Sequence, residues 1–499
     1  MNLNLLILIP LISAIALLFC NGLKQLRVVS LAGAAVQLLL SLFLFFAYTT
    51  ERATGNIDPM LFTYSMSWFE TLNINYTIGV DGISVAMILL TAFVVISGIL
   101  VSWNEERMSK EFFFLLMLLS VGAYGFFISL DLFTLFFFLE VAVIPKFLLI
   151  AIWGSGKKEY SAMKLALMLM AGSSFVFVGL IGMYLNTYNP VSGHTFNFLE
   201  IANQHLSKDV QNLFFPFLFV GFGIFTAIFP FHTWVPDGHS SAPTAASMFL
   251  AGISMKLGGY GCLRVAVTLM PEAAQEYSTI IIVLSSIAII YGAFATMMQT
   301  DLKYINAYSS VSHCGFVLLG IGMLTKTAVA GAVMQMVSHG LMTALFFSAI
   351  GMIYSRTHTR EVKQLGGLLK IMPFISTVFI IAGLCSLGLP GFSGFVAEMT
   401  IFMGSWENVG YLYKIATISA CASIVVTAVY ILRAAGKTVM GPLANEEHLM
   451  LTDATWNEKA AAGILIVAIV AMGVLPFWIY DLVEPGSAAV MQRIAGFKM

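Results

Sequence analysis

Long apolar runs alternate with short polar connections along the whole chain. A helix needs about twenty apolar residues to cross the hydrocarbon core of a bilayer, so we interpret each run as one transmembrane helix. The pattern predicts fourteen helices, numbered one to fourteen, near residues 3–20, 28–48, 83–102, 112–129, 131–153, 162–187, 212–231, 245–268, 278–298, 303–324, 327–354, 373–404, 411–434 and 460–480. We therefore predict an all-α polytopic fold, with residues 1–499 forming a single membrane domain. The longest connections are too short to bury a core of their own: they are 49–82, 188–211 and 435–459.

Two predicted helices contain residues that break helical hydrogen bonding. Helix twelve contains Gly388-Leu-Pro-Gly391, and helix seven ends at Phe229-Pro-Phe231. Proline removes a backbone donor, so a break at membrane depth needs protein or water to replace the lost partner. The breaks lie five helices apart. Because five is odd, two five-helix units in one chain would have opposite topology, which is the inverted-repeat arrangement of many transporters.

The basic residues between the predicted helices indicate an orientation. Lys and Arg concentrate in the cytoplasmic loops of membrane proteins. Most of them fall on the side that holds the odd-numbered loops, and the opposite side holds only Arg52, Lys208, Lys326, Lys414, Arg493 and Lys498. The odd-numbered loops are therefore predicted to be cytoplasmic, with both termini facing outward.

The composition agrees with this pattern and excludes several classes of function. Hydrophobic residues make up 59% of the chain and charged residues 10%, whereas soluble domains carry about 25% charged residues. The net charge is −1 and no basic stripe is present, so a nucleic-acid partner is not expected. The five cysteines lie singly, without the paired spacing of zinc or iron–sulfur ligands. We expect no metal site and no catalytic redox site in this chain.

Ionisable residues at bilayer depth are the candidate functional groups. A charge there is costly and usually faces a hydrated interior or an opposite charge. Glu140 lies within predicted helix five, Lys146 follows it past Pro145, and Lys256 lies midway along helix eight. Six residues place Glu140 and Lys146 on different faces of a straight helix. The alternatives are a structural, hydrogen-bonded carboxyl at Glu140 and snorkelling of Lys146 to the cytoplasmic interface.

Three further groups lie at similar depth in helices ten, eleven and twelve, namely His313, His339 and Glu398. Histidine can exchange a proton near neutral pH, although a buried histidine with a purely structural hydrogen bond is also common. Glu140, Lys256, either histidine and Glu398 together predict a lateral proton relay through water, because each group would change protonation as its neighbours do. Their spacing suits a metal site poorly, since no ligand pair has helical i, i+3 or i, i+4 spacing.

Several segments carry a resemblance to a known family: Phe231-His-Thr-Trp-Val-Pro-Asp-Gly-His-Ser-Ser-Ala-Pro-Thr244, Gln299-Thr-Asp-Leu-Lys303, Ala307-Tyr-Ser-Ser-Val-Ser-His313, Gly388-Leu-Pro-Gly391 and Phe395-Val-Ala-Glu398. They resemble, in the same order, hallmark segments of the antiporter-like subunits of NADH:quinone oxidoreductase, respiratory complex I. Two more segments look most like the subunit M group, whose mitochondrial counterpart is ND-four: Gly79-Val-Asp-Gly-Ile-Ser84 and Tyr354-Ser-Arg-Thr-His-Thr-Arg360. The resemblance covers nearly the whole chain.

The resemblance implies a fourteen-helix core with inverted repeats of helices four to eight and nine to thirteen. The corresponding parts of the chain are 1–110 for helices one to three, 111–270 and 271–435 for the repeats, and 436–499 for the last loop and helix fourteen. It also implies proton translocation driven by quinone reduction elsewhere in the complex. The proton-transfer residues that it implies are Glu140, Lys256, His313, His339 and Glu398, with His232 and Lys303 in support.

One residue departs from the family pattern. The family places a lysine seven residues before the histidine of the His-Thr-Trp segment, and Phe225 occupies that position here. That lysine is thought to pair with the glutamate of helix five. We hypothesise that Lys146 supplies the cation instead and acts as a proton-transfer residue, because an opposite charge within about 4–6 Å would favour ionised Glu140.

The resemblance also sets the expected partners and location. FMN, iron–sulfur clusters and quinone are expected in partner subunits, with no cofactor in this chain. The expected neighbours are other complex I membrane subunits, especially the adjacent antiporter-like subunits, together with lipids. The expected location is the bacterial inner membrane, with both termini on the periplasmic side. The alternatives are a subunit of a multi-subunit Na⁺/H⁺ antiporter and a complex I scaffold subunit that no longer pumps; a carrier for organic solutes is disfavoured.

Overall fold

The computed structural model describes residues 1–188 and 193–496. As predicted, the chain folds mainly into helices. In chain order these are α1 Leu5–Leu18, α2 Leu23–Ala53, α3 Gly82–Val101, α4 Ser109–Ile128, α5 Leu132–Trp153, α6 Lys158–Asn186, α7 Phe198–Asn203, α8 Lys208–Thr226, α9 Trp234–Ser241, α10 Thr244–Phe249, α11 Met255–Gly261, α12 Pro271–Met297, α13 Leu302–Gly322, α14 Lys326–Thr357, α15 Pro373–Ser386, α16 Ser393–Trp406, α17 Tyr411–Thr438, α18 Trp456–Val474 and α19 Phe477–Gly496. Lys498, one of the basic residues on the predicted outer side, and part of the 188–211 connection lie outside the described residues.

Within the described parts of the chain, ten helices are long and apolar enough to cross a membrane: α2, α3, α4, α5, α6, α8, α12, α14, α17 and α18. The other four predicted runs coincide with α1, with α10 and α11, with α13, and with α15 and α16. These helices are shorter, interrupted or richer in polar residues. The chain is therefore a multi-pass membrane protein, and the number of fourteen crossings stays a prediction.

Both predicted helix breaks are confirmed. The first separates α8 from α9, and Ala227 begins it in the left-handed conformation at φ 69°. The second separates α15 from α16, and Gly388 and Gly391 adopt φ values of 73° and 95° within it. Glycine accepts such angles without the steric penalty that other residues meet, so the sequence Gly-Leu-Pro-Gly is well suited to end one helix and begin the next.

The helix that carries Lys256 is irregular in a way that hydropathy did not predict. Wider π-helical turns, Leu250–Ser254 and Cys262–Val267, flank α11 on both sides. Such turns shift side chains around the helix axis and are frequent at functional sites. Lys256 lies near the start of the short regular segment between them.

The connection 49–82 contains a β-hairpin that the pattern of apolar runs does not predict. Strand β1, Leu61–Phe69, pairs in antiparallel register with β2, Ile74–Val80. A left-handed Asn73, at φ 50°, closes the turn between them. Aromatic and β-branched residues are enriched in both strands, as β-structure favours, but each strand is too short to register in a scan for twenty-residue runs.

A C-terminal helix, α19, was also missed, because Asp481, Glu484 and Arg493 interrupt its apolar pattern. It packs tightly against the start of α3. A Cβ atom on Gly82 would lie only 1.7 Å from the Leu482 carbonyl oxygen, so the two backbones approach as closely as glycine allows.

Matching backbone contacts occur before α5 and before α13. Asp131 forms an isolated antiparallel bridge with Asn197, in the connection after α6, and Asp301 forms one with Glu361, in the connection after α14. Each aspartate also caps its helix by accepting hydrogen bonds from two backbone N–H groups. Five predicted crossings separate the two bridges, which would place them on opposite faces of the membrane. This correspondence supports the inverted repeats, whose boundaries stay a prediction.

Candidate functional site

Lys256 is held in the interior by two partners. Its side chain is 1% exposed. The ammonium donates a hydrogen bond to the Ala251 carbonyl oxygen at 2.5 Å, and Nζ lies 2.7 Å from Nδ1 of His339 on α14. The Ala251 carbonyl belongs to the π-helical turn before α11, so the irregular helix provides one of the acceptors. An amine and an imidazole in direct contact can share or exchange one proton.

The contacts continue from His339 to His313 on α13. The centroids of the two imidazole rings lie 5.5 Å apart. Nε2 of His313 lies 3.0 Å from the Ser386 hydroxyl at the end of α15, and Nδ1 lies 3.3 Å from the side-chain nitrogen of Gln335. Ser386 and Gln335 were not predicted, because neither residue type is distinctive in an apolar helix.

Glu398 completes the group on α16, just beyond the second break. Its Oε1 lies 3.4 Å from Nδ1 of His313, and the side chain is 5% exposed. The same imidazole nitrogen therefore has two alternative partners. Neutral His313 can accept a hydrogen bond from the Gln335 amide, whereas protonated His313 can donate one to the Glu398 carboxylate.

Gly388 leaves the space that Glu398 occupies. A Cβ atom at Gly388 would lie 2.7 Å from Oε2 of Glu398, closer than real Cβ atoms approach other atoms. The break therefore has two effects: it ends α15, and it provides a cavity for the carboxyl group beside His313.

Four of the predicted residues thus form one buried array across four helices: Lys256, His339, His313 and Glu398. We call this array the central relay. Its first three members are cationic when protonated and its last, Glu398, is neutral when protonated, so a proton moving along it changes the charge next to each neighbour.

Glu140 and Lys146 form a separate pair on α5. The Lys146 side chain is 1% exposed, which rules out the snorkelling alternative. Oε1 of Glu140 and Nζ of Lys146 are both buried without a hydrogen-bond partner among the described residues, although each charge lies within electrostatic range of the other. Buried polar atoms without protein partners are usually satisfied by water. We therefore expect water between these two groups.

Lys146 also lies next to Phe225, the residue that stands where the family has a lysine. Its Nζ is 6.0 Å from the centroid of the Phe225 ring on α8. Helix α8 in turn packs directly on α11, where Gly258 faces Phe222 and Thr226. No hydrogen bond or ion pair within residues 1–188 and 193–496 joins Glu140 or Lys146 to Lys256, so the predicted step between Glu140 and Lys256 is not a direct contact.

The two supporting residues lie near the first break. Lys303 is 3% exposed and donates a hydrogen bond to the Ala242 carbonyl oxygen at 2.6 Å. His232 is also buried, and its ring packs against Phe229 and Tyr291. Neither contacts the central relay directly.

His239 on α9 was not predicted as a site residue, although it belongs to the motif that carries the resemblance. It is fully buried and lies within electrostatic range of both Lys256 and Lys303. Its ring stacks on Phe347 of α14, with centroids 5.6 Å apart. His239 therefore lies between the central relay and Lys303.

The fold and the central relay are those of a multi-pass membrane protein with a buried chain of Lys, His and Glu side chains. A family described as NADH:quinone oxidoreductase/Mrp antiporter, transmembrane, matches residues 129–426. The chain is 34% identical to NADH-quinone oxidoreductase subunit M of Rhodobacter capsulatus over 472 residues, covering 93% of this chain and 90% of that one. The chain belongs to this family.

Solved structures agree. A chain of respiratory complex I from Thermus thermophilus with bound NADH matches with a TM-score of 0.89 and 25% identity, covering 99% of both chains. A chain of the Mrp complex from a Dietzia species matches with a TM-score of 0.84 and 18% identity, covering 99% of this chain and 98% of that one. The second match shows a shared fold. Both relatives belong to multi-subunit membrane complexes.

Proposed function

We propose that this chain is a proton-translocating, antiporter-like membrane subunit of an NADH:quinone oxidoreductase, coupled to quinone reduction in other subunits. The observation that carries the proposal is the contact of Lys256 with His339 and its continuation through His313 to Glu398. Charged groups this deep are costly unless they interact with each other or with water. An array of four such groups suits proton transfer better than a structural role.

The order of partners suggests how the relay works. Protonated Lys256 donates to Nδ1 of His339, and transfer of that proton leaves a neutral amine beside an imidazolium. The charge on His339 then disfavours a second proton on Lys256 until the first has moved to His313. From His313 the proton can reach Glu398 through the Nδ1 contact. Quinone reduction in another subunit would supply the free energy by changing the charge at one end of the central relay.

We place proton entry from the cytoplasmic side at Lys303 and His239. Lys303 begins α13 at the predicted cytoplasmic face, and His239 lies within electrostatic range of both Lys303 and Lys256. A neutral buried imidazole can accept a proton on one ring nitrogen and release one from the other. This property suits His239 to a position between two amines.

We further propose that Lys146 takes the role of the missing helix-seven lysine. Its buried ammonium lies against the Phe225 ring, at the position where the family has that lysine, and it interacts with Glu140 along α5. Lys146→Leu should lower pumping, and Lys146→Leu combined with Phe225→Lys should restore it, since the ammonium returns to nearly the same place from another helix. Unchanged pumping in Lys146→Leu beside reduced pumping in Glu140→Gln would refute the compensation.

Reconstituted complex tests the main proposal. Protons moved per electron would be measured in proteoliposomes carrying wild-type, Lys256→Met and Glu398→Gln complexes, with the exposed Lys363→Met as the matched control. We expect both relay variants to lower the ratio while the control keeps it. Equal ratios in all four, with intact assembly, would favour a scaffold subunit that no longer pumps.

This function implies particular partner subunits, a particular membrane and an orientation for the chain. FMN, iron–sulfur clusters and quinone would bind in partner subunits, so this chain would be a non-redox part of the enzyme. It would lie in a bacterial inner membrane with periplasmic termini, among other complex I membrane subunits and beside another antiporter-like subunit. Isolating the complex from its native membrane and identifying the co-purifying chains tests the partners. Protease protection of tags at both termini tests the orientation.

A second candidate is a subunit of a multi-subunit Na⁺/H⁺ antiporter, which the structural likeness to the Mrp complex supports. The two functions differ in their driving force. NADH-dependent proton pumping supports the first candidate, whereas ΔpH-driven sodium exchange without electron transfer supports the second.

A further inference from the structure

A polar cavity of about 680 Å³ opens at the predicted outer end of the bundle, away from the central relay. It lies between the end of α2, the loop before β1, α7, the second π-helical turn and α19. Three arginines line it from three separate elements: Arg52, Arg264 and Arg493. Because they converge from distant parts of the sequence, the folded chain, rather than a local charge run, produces this basic site.

Protein acids balance only part of this charge. Arg264 is 7% exposed and forms an ion pair with Asp81, the residue that caps α3. Nε of Arg264 nonetheless remains buried without a hydrogen-bond partner. The other acid that lines the cavity, Asp58, is exposed at its rim and forms no ion pair in the described chain.

Within the described parts of the chain, neither Arg52 nor Arg493 forms an ion pair with an acid. Arg52 donates to the Tyr48 hydroxyl at 3.0 Å and to the Asn56 carbonyl oxygen at 2.9 Å, both of which are neutral. Nε of Arg493 is buried and has no hydrogen-bond partner among residues 1–188 and 193–496. The cavity therefore holds more positive than negative charge, with donors free to bind an anion.

Guanidinium groups arranged in this way suit a phosphate. Arginine presents planar N–H donors that bind two phosphate oxygens at once, and such charge-assisted bonds are stronger than neutral ones. A phosphate could bridge Arg52 and Arg493 while Arg264 keeps its bond to Asp81.

The outer surface of α2 indicates that the phosphate comes from a lipid. Leu39, Phe43 and Phe46 are exposed along this helix, and six residues, or about 9 Å of helix rise, separate Phe46 from Arg52. Phe46 and Arg52 point to different faces of α2, so the match is one of depth: the exposed apolar surface ends about 9 Å below the level of Arg52, where the step from acyl chain to headgroup is expected. We propose that the cavity binds the phosphate of an anionic phospholipid headgroup, with the acyl chains lying along the exposed face of α2.

Lipid binding to the purified complex tests this proposal independently of proton transfer. Native mass spectrometry and thermal stability would be recorded in mild detergent with phosphatidylglycerol, with phosphatidylcholine and with inorganic phosphate. The variants are Arg493→Gln, Arg493→Lys, which keeps the charge but not the planar donors, and the exposed cytoplasmic Arg107→Gln as a matched control.

We expect phosphatidylglycerol to bind and stabilise wild type and Arg107→Gln. Its apparent affinity should be weakened roughly tenfold in Arg493→Gln, because one charge-assisted contact is lost, and less in Arg493→Lys. Stabilisation by inorganic phosphate but not by the lipid would overturn the lipid assignment. Equal binding of phosphatidylglycerol to Arg493→Gln and to wild type would overturn the site itself. Binding of phosphatidylcholine equal to that of phosphatidylglycerol would do the same.

Discussion

Replacing Gly388 by alanine tests how the position of Glu398 affects proton transport. This effect can be measured separately from the effect on the stability of the helix break. The new Cβ atom would lie 2.7 Å from Oε2 of Glu398, whereas ordinary contacts begin at 3.4 Å. The carboxyl group is the flexible partner, so it must retreat. Its Oε1 already lies 3.4 Å from Nδ1 of His313, so a displacement that lengthens this contact would slow proton transfer.

Two effects of different size follow from this substitution. The left-handed backbone at φ 73° should lower stability by about 1–2 kcal/mol for a residue with a Cβ. Displacement of a reacting group by nearly 1 Å can lower a rate by up to about a hundredfold. We therefore expect Gly388→Ala to reduce proton transport far more than it reduces the thermal stability of the complex.

Gly391 provides the matched control. It also has a left-handed backbone, at φ 95°, but a Cβ there would meet nothing within 4 Å. Gly391→Ala should show the stability loss alone. Protons per electron in proteoliposomes and the midpoint of thermal unfolding would be measured for both variants. If Gly391→Ala reduces pumping as much as Gly388→Ala does, contact with Glu398 is not the cause of the loss.

Three further predictions concern the entry side, the relay and the C-terminal helix. Lys303→Met should slow proton uptake from the cytoplasmic side while the complex stays assembled; unchanged uptake in inverted vesicles would argue against entry there. Ser386→Ala should weaken pumping only a few-fold, because His313 loses one hydrogen bond worth about 1 kcal/mol, and a complete loss would point to a different role for Ser386. Gly82→Ala should detach α19, since the new Cβ would clash with the Leu482 backbone; proteolysis of the C-terminus should then become faster, and an unchanged cleavage rate would contradict the packing.

The apolar pattern predicted most of the helices because lipid exposure requires long hydrophobic segments. It missed β1 and β2, which are short, and α19, whose charged residues lower its hydropathy. Such elements form through packing and backbone hydrogen bonds, which apolar runs do not report. Both helix breaks were predictable, because glycine and proline act locally on backbone conformation.

The candidate site was predictable to a similar extent. Lys256, His339, His313 and Glu398 stand out because ionisable groups are rare at membrane depth, and the structure brings them together. Their neighbours Ser386 and Gln335 are ordinary residues whose role depends on three-dimensional contact. The contact between Lys146 and Phe225 likewise depends on how α5 packs against α8, which one sequence does not determine.

The proposed function requires that protons pass between Lys256 and Glu398 during turnover. Infrared difference spectroscopy on the complex reports it directly, through the C=O band of a protonated carboxyl group. We predict a band during NADH oxidation that disappears in Glu398→Gln and is strongly reduced in Lys256→Met. A band assigned to Glu398 that keeps its full amplitude in Lys256→Met would show that this carboxyl group receives its proton by another route.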